Sequence, residues 1–200
     1  GNSYETLEAY ARKVETRVDK KTRVETRTII SSPDELAAAT LEGFTVTEDM
    51  LGNYSQTTYG RTAPSRSSEE TPDGLYHLHF VPKKLTREVS AVLHIEGLNN
   101  IRSATCRLGG VAESIFLATG KTSANTVTQE FTPSNPEFSP GSPFNGTLSC
   151  EFEIFGLNVI DNNNLHLDAL LVDGKTEFEG DCTNVKITEN DDGKIGRAHV

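Results

Sequence analysis

The chain has 200 residues and a formal net charge of −10, with 35% hydrophobic and 24% charged residues. This composition is typical of a folded globular protein and excludes an intrinsically disordered one. The acidic balance argues against nucleic acid and against an anionic lipid surface as partners, because both are bound through clustered Lys and Arg. No apolar run approaches the roughly 20 residues that a membrane-spanning helix needs, and no secretory leader is recognisable.

The N-terminal part predicts several short elements. Residues Tyr4–Val18 carry apolar side chains at spacings of three and four, which predicts an amphipathic helix, although the Thr- and Val-rich end also fits a strand. Arg23–Ile30 predicts a strand. Ser32 as an N-cap before Pro33 predicts a short helix that ends at Gly43.

The segment Gly52–Thr71 predicts a linker, because it lacks apolar periodicity and is rich in Ser, Thr, Gly and Pro. Tyr54 and Tyr59 either contribute exposed aromatic contacts or pack this linker against the neighbouring domain. We therefore expect residues 1–71 to form a partial N-terminal domain plus linker and residues 72–194 to form a C-terminal domain. Residues 195–200, with the sequence IGRAHV, read as the translation of a sequencing adapter and are expected to be an artefact.

From Leu75 onwards the chain alternates apolar and polar residues between Gly-, Asn- and Asp-rich turns, which predicts half-buried antiparallel strands. Gly109-Gly110 predicts a turn or bulge, Asp173-Gly174 a hairpin, and Ser134–Asn145, with three prolines, a loop. The pattern is typical of a mostly β protein with an antiparallel Greek-key β-sandwich. The predicted strands are Leu75–Val81, Glu88–Glu96, Ala104–Leu108, Ser114–Leu117, Thr126–Phe131, Thr147–Phe155, Leu165–Val172 and Val185–Thr188.

The histidines offer one candidate metal site. His77 and His79 would share one face of a strand, and His94 on a neighbouring strand would complete a set of three imidazoles. Alternation places all three on the polar face, where solvated histidines are the simpler interpretation. We therefore predict no metal site.

Other polar groups are interpreted as surface positions. The Asn- and Asp-rich segments Asp161–Asn164 and Glu189–Gly193 lack the ligand spacing of a calcium loop and predict turns. No nucleophile elbow, P-loop or dinucleotide fingerprint is present. Two carboxylate pairs, Asp168 with Glu177 and Glu151 with Glu153, predict outward-facing strand positions. The sequence thus predicts a non-enzymatic protein with no catalytic, cofactor-binding or metal-binding residues and no cofactor.

The three cysteines do not have the spacing of a metal site. Cys106 and Cys150 share the inward phase of their strands and predict small buried hydrophobic residues. A disulfide between two of Cys106, Cys150 and Cys182 is the alternative in an oxidising compartment.

The segment Arg87–Thr183 resembles the fimbrillin-like proteins of Bacteroidetes, close to the minor-fimbria anchor lipoproteins, many of which are known only as domains of unknown function. The matching segments are EVSAVLHIEGLNNI, CRLGGVAESIFLATG, GTLSCEFEIFGL and LHLDALLVDGKTEFEGDCTNV, with further similarity at Ser32–Leu36 and Leu75–Pro82. The resemblance implies two transthyretin-like β-sandwich domains on a lipoprotein of the outer membrane and cell surface. The lipid-bearing Cys of that family is absent from this chain.

The resemblance implies a fimbrial subunit of anchor, tip or adhesin type that pairs strands with other fimbrial subunits or binds host or bacterial surface ligands. It would contact a membrane only through a lipid anchor that this chain does not contain. The alternative is a glycan-binding module of a nutrient-uptake system, which the absence of Trp disfavours. A third interpretation is a structural domain that spaces other domains from the membrane.

Overall fold

The fold is known from a computed structural model that describes residues 8–10, 14–18, 23–29, 31–46, 78–158, 163–182, 188–189 and 195–196. These residues form fifteen strands and one 3₁₀ turn at Leu98–Asn100, without an α-helix. In this part of the chain no helix has the length and apolar character needed to cross a membrane. The strands are β1 (Glu8–Tyr10), β2 (Val14–Val18), β3 (Glu25–Ile29), β4 (Ala37–Ala38), β5 (Lys83–Lys84), β6 (Arg87–Ile95), β7 (Ile101–Ala112), β8 (Ser114–Phe116), β9 (Thr126–Phe131), β10 (Asn135–Phe138), β11 (Gly146–Ile154), β12 (Leu165–Leu171), β13 (Glu177–Asp181), β14 (Thr188–Glu189) and β15 (Ile195–Gly196).

Two large sheets organise the chain. The first has the strand order β10-β11-β6-β15-β14, and the second has the order β13-β12-β7-β9-β3-β2. We call them the five-stranded and the six-stranded sheet. Most neighbouring strands are antiparallel, whereas β15 runs parallel to β6 and β3 runs parallel to β9. The predicted mostly β class with antiparallel sheets is therefore confirmed.

The two sheets contribute to one buried core. Alternate residues of each strand point inward, as period-2 alternation predicts, and the rings of Phe131 on β9 and Phe152 on β11 stack with centroids 4.5 Å apart. The other core residues come from both sheets and from the segments between them: Ile29, Val89, Ala91, Leu93, Leu98, Ala104, Cys106, Leu108, Val111, Ala112, Ile115, Val127, Leu148, Ile154, Phe155, Leu165 and Leu167.

The turn predictions agree well with the structure. The ladder between β7 and β9 changes register between Leu108 and Val111, so Gly109-Gly110 forms the predicted bulge, and Gly110 adopts φ 79°. At the Asp173-Gly174 hairpin the Asp173 carboxylate accepts hydrogen bonds from the backbone N–H groups of Lys175 (2.9 Å) and Thr176 (2.8 Å). These bonds, together with one from the Thr176 hydroxyl that has the largest effect, lower the pKa of Asp173.

The predicted short helix is wrong, and for Tyr4–Val18 the strand alternative, not the helix, agrees with the structure. The described parts of Tyr4–Val18 form strands β1 and β2, and the short helix expected after Ser32 is absent from residues 31–46. There, Leu36 carbonyl oxygen accepts a 2.7 Å hydrogen bond from Leu85 N–H, and its side chain packs against the core. Backbone pairing with distant segments outweighs a local capping signal that contributes only about 1 kcal/mol.

Two further segments differ from the sequence prediction. Residues 78–82 form no strand, and Leu78, Phe80 and Val81 are exposed. Within the loop predicted at Ser134–Asn145, strand β10 pairs with β11. The strand can contain Pro136 because β10 is an edge strand, where a missing N–H donor on the outer side breaks no ladder.

The chain divides into two compact units, residues 1–38 with 84–200, and residues 39–83. Strands β2 and β3 belong to the six-stranded sheet. The boundary predicted near residue 71 lies outside the described residues and stays a prediction, as does the origin of residues 195–200.

Candidate functional site

A groove of about 650 Å³ lies on the outer face of the six-stranded sheet. Strand alternation creates it: each strand turns its apolar residues to the core and its polar residues outward. The groove is lined by side chains of β2, β7, β9, β12 and β13, among them Arg17, Arg107, Glu130, Asp168, Glu177 and Glu179.

The strand register places five titratable groups side by side. His166 on β12 lies opposite Arg107 on β7 and opposite Asp181 on β13. Two residues further along β12, Asp168 lies opposite Glu179. Because residues two apart on a strand share a face, these side chains form one polar cluster.

Directed contacts hold the cluster. Arg107 Nη2 donates to Asp168 Oδ2 at 2.8 Å. His166 Nδ1 lies 2.9 Å from Asp181 Oδ1, and His166 Nε2 lies 3.4 Å from Asp168 Oδ1. His166 Nε2 is buried and has no hydrogen-bond partner in the described part of the chain. One ligand atom from each of His166, Asp168 and Glu179 lies within 4.8 Å of the others.

A second ion pair is structural in character. Arg27 on β3 donates two hydrogen bonds to Glu113, one of them 2.7 Å from Nη1 to Oε2. The Glu113 side chain is only 5% exposed, whereas the Arg27 side chain is 57% exposed. The guanidinium therefore satisfies both oxygens of a buried carboxylate, which links β3 to the residue that follows β7.

The cysteines are free thiols, with Cys106 fully buried and Cys150 and Cys182 half-buried. Burial raises the pKa of Cys150 and of Cys182 to about 11, and it raises the pKa of Cys106 further. The thiols are protonated near neutral pH, which fits the predicted hydrophobic role better than a nucleophilic one.

The structure does not bring the predicted histidines together in its described part. His77 lies outside the described residues, His79 is exposed in residues 78–82, and His94 is exposed on β6. The group of possible metal ligands found in the described residues instead contains His166, which the sequence prediction did not consider.

The predicted turns are only partly described. Asp161 and Asn162 lie outside the described residues, while Asn163 Nδ2 donates to Gly109 carbonyl oxygen at 2.7 Å and Asn164 carbonyl oxygen accepts from Gly109 N–H at 2.9 Å. Glu189 is in β14, and residues 190–193, Tyr54 and Tyr59 are outside the described residues.

The two carboxylate pairs have different surroundings. Glu151 accepts a 3.4 Å hydrogen bond from Ser90, and Glu153 accepts a 2.8 Å bond from Lys84. Asp168 clusters with Glu179 rather than with Glu177. The signal was present in the sequence: a His-x-Asp strand followed by an Asp-Gly hairpin and a Glu-x-Glu-x-Asp strand fixes this register.

The fold and the groove define a mostly β protein with several antiparallel sheets and a charged outer face. A family model described as "Domain of unknown function (DUF5119)" matches residues 1–132, and the chain therefore belongs to this family. No curated protein sequence matches the chain.

One solved structure similar to the chain is the 3.00 Å crystal structure of a candidate adhesin from Bacteroides ovatus ATCC 8483. The similarity covers 97% of this chain and 67% of the neighbour, with 15% sequence identity and a TM-score of 0.48. This similarity is too low to assign the neighbour's role to this chain.

Proposed function

We propose that the protein is a non-enzymatic cell-surface subunit of the fimbrial or adhesin type that acts by pairing strands with another polypeptide. In this proposal the five-stranded and six-stranded sheets are the two layers of a Greek-key, transthyretin-like β-sandwich. The sequence resemblance to fimbrillin-like proteins supports the class, and the edges of the sheets support the mode of action.

The main support is the side of β6 that faces β15, where the ladder is short within the described residues. All nine residues of β6 pair with β11. On its other side, within the described residues, β6 pairs only at Val89 and Ser90, through the two-residue strand β15. We propose that an added strand pairs along this side of β6, because sheet edges are a common site of β-augmentation.

Strand β10, at one edge of the same sheet, supports the proposal less directly. Strand β10 is exposed along its whole length, and it carries Phe138, which is 48% exposed, near Phe144, which is 59% exposed. Exposed aromatic side chains beside a sheet edge favour contact with a partner. Pro136 removes one backbone donor, however, and makes β10 a poorer template for pairing than β6.

The proposal that the protein is not an enzyme rests on the thiols and the surface carboxylates. The nucleophile candidates Cys150 and Cys182 have a pKa near 11 and pack against the core. The outward carboxylates Glu151 and Glu153 are engaged with Ser90 and Lys84. Neither arrangement prepares a group for acid–base or nucleophilic chemistry near neutral pH.

The experiment is a concentration series of the purified chain by sedimentation velocity, with the proline variants Ala91→Pro and Val92→Pro. Successive N–H groups of a strand point to opposite sides, so one variant should break the β11 ladder and unfold. The other should block pairing on the side of β6 that faces β15. We expect the folded variant to lose the self-association of the parent chain. A parent chain that stays monomeric at every concentration would contradict strand-mediated assembly.

The surface location has a separate test. Sequencing the native locus across both ends of this reading frame should reveal a secretory leader that ends at a lipid-modified Cys, next to genes for fimbrial subunits. A frame without any export signal would refute the surface role. Specific micromolar binding on a glycan array, without self-association, would favour the glycan-binding module instead.

A further inference from the structure

We propose that His166, Asp168 and Glu179 bind one divalent transition-metal ion with the ligand preferences of Zn²⁺. Zinc accepts imidazole nitrogen and carboxylate oxygen at about 2.0–2.2 Å. Two ligand atoms of a tetrahedral zinc site therefore lie about 3.4 Å apart. The distance between His166 Nε2 and Asp168 Oδ1 is 3.4 Å, and the three ligand atoms all lie within 4.8 Å of one another.

The hydrogen bonding of His166 supports an ion at Nε2. Asp181 Oδ1 lies 2.9 Å from Nδ1 and can only accept, so Nδ1 carries a proton. In the neutral imidazole, Nε2 then presents a lone pair to Asp168 Oδ1, and no hydrogen bond satisfies it in the described residues. A carboxylate on the far nitrogen is the usual outer partner of a metal-bound histidine.

The charges around His166 also favour a divalent cation. Asp168, Glu179 and Asp181 contribute three negative charges, and Arg107 contributes one positive charge. A neutral imidazole leaves this cluster with a net charge of −2, which one divalent ion neutralises. Arg107 binds Asp168 through Oδ2, and Oδ1 remains turned towards His166.

The backbone prepares the site. His166 and Asp168 are two residues apart on β12, and Glu179 lies opposite Asp168 on β13. Ligands on paired strands are positioned by the sheet register rather than by a loop. A bound ion would join β12 to the edge strand β13, so it would stabilise the hairpin. This inference is independent of the proposed strand-mediated assembly.

The experiment is isothermal titration calorimetry, in which Zn²⁺ is added to the purified chain after any bound metal has been removed with a chelator. We expect about one equivalent to bind. Glu179→Gln, which removes an exposed ligand without disturbing the core, should weaken binding on the order of tenfold or more. Asp181→Asn should weaken it by about 10–100-fold, the usual loss for an outer partner. Circular dichroism should show that both variants are folded.

Two matched controls make the test specific. Glu177→Gln removes the same charge from the same strand and groove two residues away, and His94→Ala removes an exposed imidazole from the other sheet. Both should bind zinc like the parent chain. Zinc should also raise the midpoint of thermal unfolding of the parent chain and of both controls, and raise it less for Glu179→Gln.

Three results would overturn the inference. They are a failure of the parent chain to bind zinc, equal binding by Glu179→Gln and Glu177→Gln, and full binding by His166→Ala. In the first case, an NMR spectrum showing a His166 imidazolium would identify the cluster as an ion-pair network in which His166 bridges Asp168 and Asp181.

Discussion

The five-stranded and the six-stranded sheet share one core but present different chemistry to the outside. On the five-stranded sheet, β6 has a second partner only at Val89 and Ser90 in the described residues. On the six-stranded sheet, the edge strand β13 carries Glu177, Glu179 and Asp181. Charged residues on an edge strand discourage pairing with another chain. The comparison places the proposed strand addition on the five-stranded sheet and the proposed ion site on the six-stranded one.

The largest expected effect is on the contact that joins the two sheets. Phe152→Ala removes the ring that stacks on Phe131, and we expect the free energy of unfolding to fall by about 3–5 kcal/mol. Urea denaturation measures this loss. Phe138→Ala, on exposed β10, is the control and should cost less than about 1 kcal/mol. Equal losses in the two variants would show that the sheets do not depend on a shared core.

The next largest loss of stability is expected at a buried charge that contacts the six-stranded sheet. Arg27→Met leaves the Glu113 carboxylate, 5% exposed, without its guanidinium, and we expect a loss of about 2–3 kcal/mol in the free energy of unfolding. Arg17→Met is the control, because Arg17 lies 3.8 Å from Glu130 in a more exposed pair worth at most about 1 kcal/mol.

A second substitution separates charge from packing. Adding Glu113→Gln to Arg27→Met removes the unpaired charge and should recover part of the stability. If the double variant is less stable than Arg27→Met alone, desolvation of the Glu113 charge is not the cause of the loss.

A smaller effect is expected at the β12–β13 hairpin. Gly174 has φ 70°, and a Cβ there would lie 2.7 Å from Arg102 Nη1. Gly174→Ala should therefore lower the free energy of unfolding by about 1–2 kcal/mol, mainly through left-handed backbone strain. Gly174→Asn is the matched comparison and should cost less, because Asn tolerates this conformation better. A neutral Gly174→Ala variant would refute the strained turn.

The last effect is absent at neutral pH and develops only in alkaline solution, and it touches both sheets, through Cys150 on β11 and Cys182 after β13. Burial raises each pKa from 9.0 to about 11, so the folded state holds these protons more tightly than the unfolded state. The thiols contribute fully to the free energy of unfolding below pH 9, and this contribution is lost as the pH rises to about 11. Urea denaturation between pH 8 and pH 11 measures it.

The double variant Cys150→Ala, Cys182→Ala is the control for that titration. It should lose less stability than the parent chain over the same pH range, apart from the contribution of Cys106. The same slope in both chains would show that the half-buried thiols are not responsible.

Much of the fold could be predicted from local patterns. Thr126–Phe131 is predicted and observed with identical bounds, and β6 and β11 differ from the prediction by one residue at each end. The bulge at Gly109-Gly110 and the Asp173-Gly174 hairpin are confirmed because left-handed or tight backbone conformations need these residues. The helix after Ser32 failed because its signal was a cap alone, without a long apolar period behind it.

The sequence by itself determined the mostly β class, the inward and outward faces of the central strands and the turns, because alternation and turn chemistry act between residues close in the chain. Only the tertiary structure decided which strands are neighbours. The pairing of β3 with β9 brings Arg27 to Glu113, and the pairing of β12 with β7 brings Arg107 to Asp168. Such contacts depend on the burial of side chains distant in sequence, which no local pattern contains.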